Sequence, residues 1–414
     1  MNKRFAAVVV LFILFSVVLS RVMKPATVQA AENLMTDVPA KKPAADAQVS
    51  KDFIRSQTAF SVRLFQKTAI KDKNTLISPV SVSLALGMTA NGAGGTTLKQ
   101  FENVLGGNIA EMNQNSAILQ NRLQSIQNGK FQAANSIWFR NQNLKVEKDF
   151  LQKNADYYGA GAFQLDFSSP SASDKINGWV KENTGGKIDK MVGKIDKDTM
   201  LYLMNALYFE ADWKKPYYQY NVQDGTFHSP AKDRTVPFLH SDELYLHDGG
   251  AQGILKPFKD SRFAFAAILP NSGTDLSTYV SKMTGDSFTK LLGSSDKETA
   301  VCSFPKLKYE YGTELNGALK ALGLTDAFDD RRADFRPMGS SPNGPLFISN
   351  VLHKTFIQVD ELGAKAGAAT KVEISATSMP IPNRNKIVFD RPFLFAIVDT
   401  ETNIPVFMGA AYNP

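Results

Sequence analysis

Glu361-Leu-Gly-Ala-Lys-Ala-Gly-Ala-Ala-Thr-Lys-Val-Glu-Ile-Ser-Ala-Thr-Ser-Met-Pro380 can be read as two structures. Its first half is mostly Gly and Ala, which offer little apolar bulk to a core, and this composition suits an exposed segment. Its alternate positions nevertheless sort by character. Ala364, Ala366, Ala368, Thr370, Val372, Ile374 and Ala376 share one face of a strand, small or apolar and fit for burial. Gly363, Lys365, Gly367, Ala369, Lys371, Glu373 and Ser375 share the other, which carries charge and calls for water. Period-two alternation is also the mark of an ordinary half-buried strand. Against that plain reading, Gly and Ala are poor strand formers. The rest of the chain has to decide.

The chain has 414 residues, enough for one large domain or two ordinary ones, and its 43% apolar and 21% charged content is that of a globular protein. Residues 1–30 stand apart. Lys3 and Arg4 precede an apolar run from Phe5 to Leu19, and a small-residue site follows at Val28-Gln29-Ala30. This is the shape of a signal peptide, which makes the expected address secreted, extracellular or periplasmic. Arg21 and Lys24 between the run and that site are unusual and leave an uncleaved membrane anchor as the alternative. These residues hold four cations and no acid, so their removal takes the net charge from +7 to +3. A mildly basic mature chain does not imply nucleic acid. Cys302 is the only cysteine, which excludes disulfides within the chain and a structural cysteine zinc site; its apolar surroundings suit a buried, inert thiol.

Residues 31–50, with Pro39, Pro43 and several Ala and Lys, read as a disordered linker. From Lys51 to Lys67, Phe53, Phe60 and Leu64 form a helical stripe. Ser78-Pro79 predicts a helix start, with Ser78 as the N-cap and Pro79 in the first helical position, and Val80–Met88 should be a buried helix. Phe131–Phe139 and Leu201–Phe209 read as interior strands, the second interrupted by Asn205, whose buried amide needs partners. Strands are predicted at Lys386–Phe389, Phe393–Asp399 and Pro405–Gly409. Helices gather early and strands late, so the fold class is α+β.

Catalytic motifs are absent: there is no G-x-S-x-G, H-E-x-x-H, phosphate-binding loop or dinucleotide fingerprint. His228, His240, His247 and His353 have no metal-like spacing. His228 and His240, near charged residues, are expected in solvent, and His353 is expected as a hydrogen-bonded core histidine. No cofactor, no metal and no enzyme activity are expected.

Several motifs resemble the serpin family in one order from about Lys51 to Pro414. Asn74-x-x-x-Ser78-Pro79-x-Ser81 is similar to the start of the family's helix B, and Ala134-Asn-Ser-Ile-Trp138 to the strand after its helix D. Ile176-Asn-Gly-Trp179-Val and Thr184-Gly-Gly-Lys-Ile188 resemble helix F and its exit. Asn205-Ala-Leu-Tyr-Phe209 with Trp213-Lys-Lys-Pro216-Tyr217 is among the most specific of these signatures. Phe304-Pro-Lys-Leu307, Leu322-Gly-Leu324, Ala333-Asp-Phe335, Asp390-Arg-Pro-Phe393 and Pro405-Val-Phe-Met-Gly409 continue it. The resemblance implies three β-sheets, about nine helices and an exposed reactive centre loop, here about residues 361–385, within a domain over 51–414.

The resemblance also implies roles. Ser78, Ser81, Asn205 and His353 match the family's shutter beneath the main sheet. Trp213, Lys306 and Glu361 match the breach where the loop first inserts, with Lys306 and Glu361 as an ion pair. Gly363, Ala364, Lys365, Ala366, Gly367, Ala368 and Ala369 match the hinge. Lys365 stands where the family usually has Glu, and Ala364 where it has Thr or Ser. Counting sixteen residues on from Glu361 puts the reactive bond at Thr377–Ser378. The implied function is irreversible inhibition of a serine protease, with the cut loop inserting as a strand to trap the acyl-enzyme in a covalent 1:1 complex with a monomeric inhibitor. No Lys or Arg lies between Val372 and Asn383, which disfavours trypsin-like targets. Elastase-like or subtilisin-like proteases fit better, and papain-like ones stay open. Residues Glu111 to Lys130 offer only Arg122 and Lys130 as cations, so no glycosaminoglycan site is evident. The alternative is a non-inhibitory chaperone or carrier of the same fold.

Overall fold

The computed structural model describes residues 31–44, 46–141, 143–295, 298–342, 344–364 and 385–414. The expected signal peptide, hinge residues Lys365, Ala366, Gly367, Ala368 and Ala369, and the bond Thr377–Ser378 lie outside them. Among the described residues there are nine α-helices and three sheets, an α+β fold.

The strands of the two large sheets are, in chain order, β1 (Glu32–Asn33), β2 (Thr75–Ile77), β3 (Gly129–Arg140), β4 (Gly161–Leu165), β5 (Leu201–Asp212), β6 (Val222–His228), β7 (Asp233–His247), β8 (Ala251–Pro257), β9 (Phe263–Pro270), β10 (Thr299–Pro305), β11 (Leu307–Glu314), β12 (Asn350–Val359), β13 (Gly363–Ala364), β14 (Asn385–Val388), β15 (Phe393–Asp399) and β16 (Pro405–Ala411). The first sheet runs β1-β4-β3-β5-β13-β12-β11. The second runs β14-β10-β7-β8-β9-β15-β16-β2, with β6 on β7. Lys145–Val146 and Gly339–Ser340 make the small third sheet.

The helices that matter here are α1 (Lys51–Thr68), α2 (Pro79–Ala90), α3 (Ile109–Gln124), α4 (Lys148–Tyr158) and α5 (Ala172–Asn183). Helix α1 starts where the Ser50 hydroxyl accepts the Phe53 N–H, and it buries Phe53, Phe60 and Leu64. In α2, Ser78 is the N-cap and every residue from Pro79 to Ala90 is buried, so this helix is an internal pillar beneath the first sheet. The Asn74 side chain accepts the N–H groups of Tyr412 and Asn413, which ties β2 to the chain's end.

Residues 31–44 and 46–50, within the expected disordered linker, are tied to the fold. Glu32 and Asn33 pair antiparallel with Gln164 and Phe163 of β4, and the Leu34 N–H continues the ladder to the Ala162 carbonyl. The Gln152 side chain of α4 then donates to the Pro39 carbonyl, and the Ser50 N–H to Asn115 of α3. Leu34, Met35 and Val49 pack on the core. A polar, proline-bearing composition hid this segment because its order comes from a sheet edge that has backbone groups to share.

Candidate functional site

At the head of the first sheet the described residues end in a short strand. Gly363 and Ala364 pair antiparallel with Asp212 and Ala211 of β5, and Ala364 with Val359 of β12. Below them β5 and β12 pair directly and in parallel, from Tyr208↔Phe356 down to Tyr202↔Asn350. Ala364 is already buried, at 2% exposure. Gly363 lies so close to β5 that a Cβ would run into the Ala211 carbonyl, at a φ of +155°. We therefore expect Gly363→Val to expel β13 from the sheet, at a cost of about 2–4 kcal/mol; exchange of the Ala364 amide should speed up by the equivalent factor, and unchanged protection would refute the contact.

The residues expected at the breach come together here. The Trp213 indole N–H donates to the Asp360 carbonyl (2.8 Å), and the Trp213 and Tyr217 backbone N–H groups donate to Leu362 and Glu361 carbonyls (2.8 Å each). Lys306 Nζ and Glu361 Oε1 form an ion pair, each side chain about one-third exposed (29% and 33%). Asp360 holds the bend: its carboxylate accepts the N–H of Leu362 (2.9 Å) and of Gly363 (3.3 Å). Trp213 stacks on Phe258 at 4.6 Å.

The residues expected at the shutter also converge, lower down between the sheet and α2. The Asn205 amide NH2 donates to Ser81 Oγ and to Asn135 Oδ1, and its carbonyl oxygen meets His353 Nδ1. His353 Nε2 accepts the Ser78 backbone N–H (3.0 Å). That contact fixes the tautomer, with the proton on Nδ1 facing Asn205. Ser78 Oγ donates to the Val406 carbonyl (2.7 Å). His353 is 1% exposed, and burial pushes its pKa down to about 3. Asn135 is the partner the sequence reading did not single out, although it sits within the quoted Ala134-Asn-Ser-Ile-Trp138 motif.

The other histidines split. His228 is exposed beside Asp233, as expected. His240 is not in free solvent: its Nδ1 pairs with Ser303 Oγ (2.7 Å), its Nε2 is buried with no partner among the described residues, and burial, then Lys386, lowers its pKa. Being in strand β7 opposite Ser303 of β10 overrides its charged sequence neighbours. Cys302 is buried, and burial raises its thiol pKa to about 12. Arg122, one of the two cations noted in its stretch, is engaged by Asp399 and by Glu401 (2.6 Å).

The first sheet's outer face, away from α2, is covered in part by α5. Met204 and Ala206 are fully buried, packed with Ile176, Val180 and Trp179 of α5. Along the edge strand β11 that face is open, with Lys308, Glu310, Gly312 and Glu314 exposed.

The family model described as Serpin (serine protease inhibitor) matches residues 55–414. Serpin-Z7 of Hordeum vulgare is 34% identical over 387 residues, 87% of this chain and 96% of that protein. Among solved structures, the thermophilic serpin Tengpin in its native state is 40% identical with a TM-score of 0.88, covering 93% of this chain and 100% of that one. The same protein in its latent state, also 40% identical, gives a TM-score of 0.77 over 88% of this chain and 98% of that one. At equal identity, the backbone is closer to the native form.

Proposed function

We propose, from the premise that the chain belongs to the serpin family, whose members are generally protease inhibitors rather than catalysts, that it is an irreversible suicide-substrate inhibitor. Serpin loop insertion is itself an established instance of β-strand addition and stored strain. The observation that carries the reading for this chain is the placement of the short strand β13: it lies antiparallel between β5 and β12, which close on each other beneath it.

Continuing the two registers of β13 gives the inserted form. Ala366 would come opposite Phe209 and Ile357, Ala368 opposite Leu207 and Thr355, and Thr370 opposite Asn205 and His353. All these residues of the loop are small, so the inner face can close on them. The shutter residues thus mark where the loop replaces the β5–β12 pairing, and the breach residues where it starts. The protease cuts Thr377–Ser378 and forms an acyl-enzyme. Insertion then carries it along the sheet and distorts its active site before deacylation. About ten added residues, at roughly 1 kcal/mol net per hydrogen bond plus roughly 0.2–1 kcal/mol per cross-strand pair, amount to on the order of 10 kcal/mol. That rivals the ~5–15 kcal/mol stability of whole proteins, so the uncut form must persist kinetically.

The target reading follows from the sequence around the bond: elastase-like or subtilisin-like serine proteases, with papain-like enzymes as a further class. Residues 1–30 support export. The test mixes the protein, freed of those residues, with an elastase, a subtilisin, a trypsin and a papain. The expected outcome is an SDS-resistant adduct with elastase or subtilisin and a released fragment beginning at Ser378. Clean cleavage without an adduct across the panel would favour the chaperone or carrier alternative.

A further inference from the structure

Beneath the breach lies a charged pair that strand insertion does not itself require. Lys256 of β8 is 2% exposed and Glu243 of β7 is 8% exposed, and Nζ stands 2.6 Å from Oε1. The same Nζ donates to the Lys215 carbonyl at 3.1 Å. It lies 4.3 Å from the Tyr217 ring centroid and 5.2 Å from that of Trp213, both within cation–π range. Tyr217 is pinned at its far end, its hydroxyl 2.9 Å from Ser241 Oγ. One buried ammonium is thus enclosed by a carboxylate, a carbonyl and two aromatic rings.

Both rings and the carbonyl belong to the short segment from Trp213 to Tyr217. That segment gives all three of the hydrogen bonds that hold the carbonyls of Asp360, Glu361 and Leu362, where the chain bends before β13. A buried ion pair is a poor source of stability, since an apolar pair of similar volume often does as well. It is a good source of orientation, because the ammonium prefers the ring faces and the carbonyl in fixed directions. We propose that Lys256 is a positioning residue for loop insertion: with Glu243 as its counter-ion, it sets Trp213 and Tyr217 so that residues 360–362 stay bent until the loop is cut. This rests on the insertion reading above.

The test uses Lys256→Met with Glu243→Leu, so that no unpaired carboxylate is left buried, and Tyr217→Leu as a milder variant that keeps the pair and removes one ring. Two quantities are read for each protein: the half-life of the uncut form at a fixed elevated temperature, followed by native gel, and the denaturant midpoint of the form cut within the loop. The expected result is a half-life shortened about tenfold or more in the double variant, and in the same direction in Tyr217→Leu, with the cut form's midpoint unchanged. If the double variant does not fold, Tyr217→Leu alone decides. A half-life within about twofold of wild type overturns the proposal, as does an equal loss of stability in the cut form, which would mark a merely structural pair. Failure of the insertion reading shows separately, in the wild type: a cut form no more stable than the uncut one.

Discussion

Thr370→Arg is expected to turn the protein from an inhibitor into a substrate. The register fixed by Ala364 against Ala211 and Val359 brings position 370 opposite Asn205 and His353 as the loop enters. Every hydrogen-bonding group of that pair is already engaged, and His353 is held neutral. An arginine arriving there finds no carboxylate, and a buried unpaired charge costs several kcal/mol. Insertion competes with deacylation, so about 3 kcal/mol in the insertion barrier slows trapping about 100-fold. The measurement is the number of inhibitor molecules consumed per protease inactivated, which should rise at least about tenfold. Lys365→Gln is the control: the same register places it opposite Glu210 and Gln358 on the other face near the sheet's head, where a change of charge should matter by less than about threefold. Undiminished trapping by Thr370→Arg would sink the register. Ala364 is the wrong place for such a charge, because it is buried before any cleavage and an arginine there would test folding instead.

The residues that specify local geometry were legible in the sequence, and those that depend on distant partners were not. Ser78-Pro79 announces a helix start by rules that act within four residues, and the structure caps α2 with it. Asn205 is conspicuous because an amide inside an apolar strand demands partners, but nothing local says that Asn135, Ser81 and His353 supply them. Nothing in their sequence neighbourhoods marks Lys256 or Glu243; only the pairing of β7 with β8 under Trp213 makes them a buried pair. The alternation of residues 364–376 gave the right inner face at its one described position, since Ala364 is buried with Ala211 and Val359. Its outer-face residues from Lys365 onward lie outside the described residues, and the β5 positions Met204 and Ala206 on that side are covered by α5. Lys371 and Glu373, in the same register, would come opposite Met204 and Tyr202, so α5 must shift for a full insertion. Period two separates two faces but cannot report which helix lies over one of them.

Acid should destabilise the uncut form well above the range where carboxylates titrate, and His353 is the reason. Its folded pKa is about 3, held down by burial, against an ordinary 6.5 in the unfolded chain. The native state therefore binds fewer protons than the unfolded one between these values. Its contribution is complete above pH 6.5, declines as pH falls, and levels off near pH 3. At about 1.4 kcal/mol per unit, two units of acidification from 6.5 remove on the order of 3 kcal/mol. Protonation is costly for a visible cause: Nε2 accepts the Ser78 N–H and Nδ1 already carries the proton facing Asn205, so a second proton sets two donors against each other. The loss falls where β5 and β12 must part, and it should shorten the life of the uncut form as well as lower its denaturant midpoint. Other groups separate by window. Asp166, Asp260 and Asp334 have lowered pKa values, so their contributions disappear only below the ordinary carboxylate range. His228 is raised by Asp233, so its contribution changes only above about pH 6.5, outside this window, and it is solvent-exposed and screened. His240 is lowered and acts in the same direction as His353, so a variant is needed to divide them. His353→Gln keeps a hydrogen-bonding side chain without a titrating one; its midpoint should be lower at neutral pH and nearly flat from about pH 6.5 to 4.5, whereas the wild type falls steeply there. A variant slope as steep as the wild type's would move the acid sensitivity from the shutter to His240.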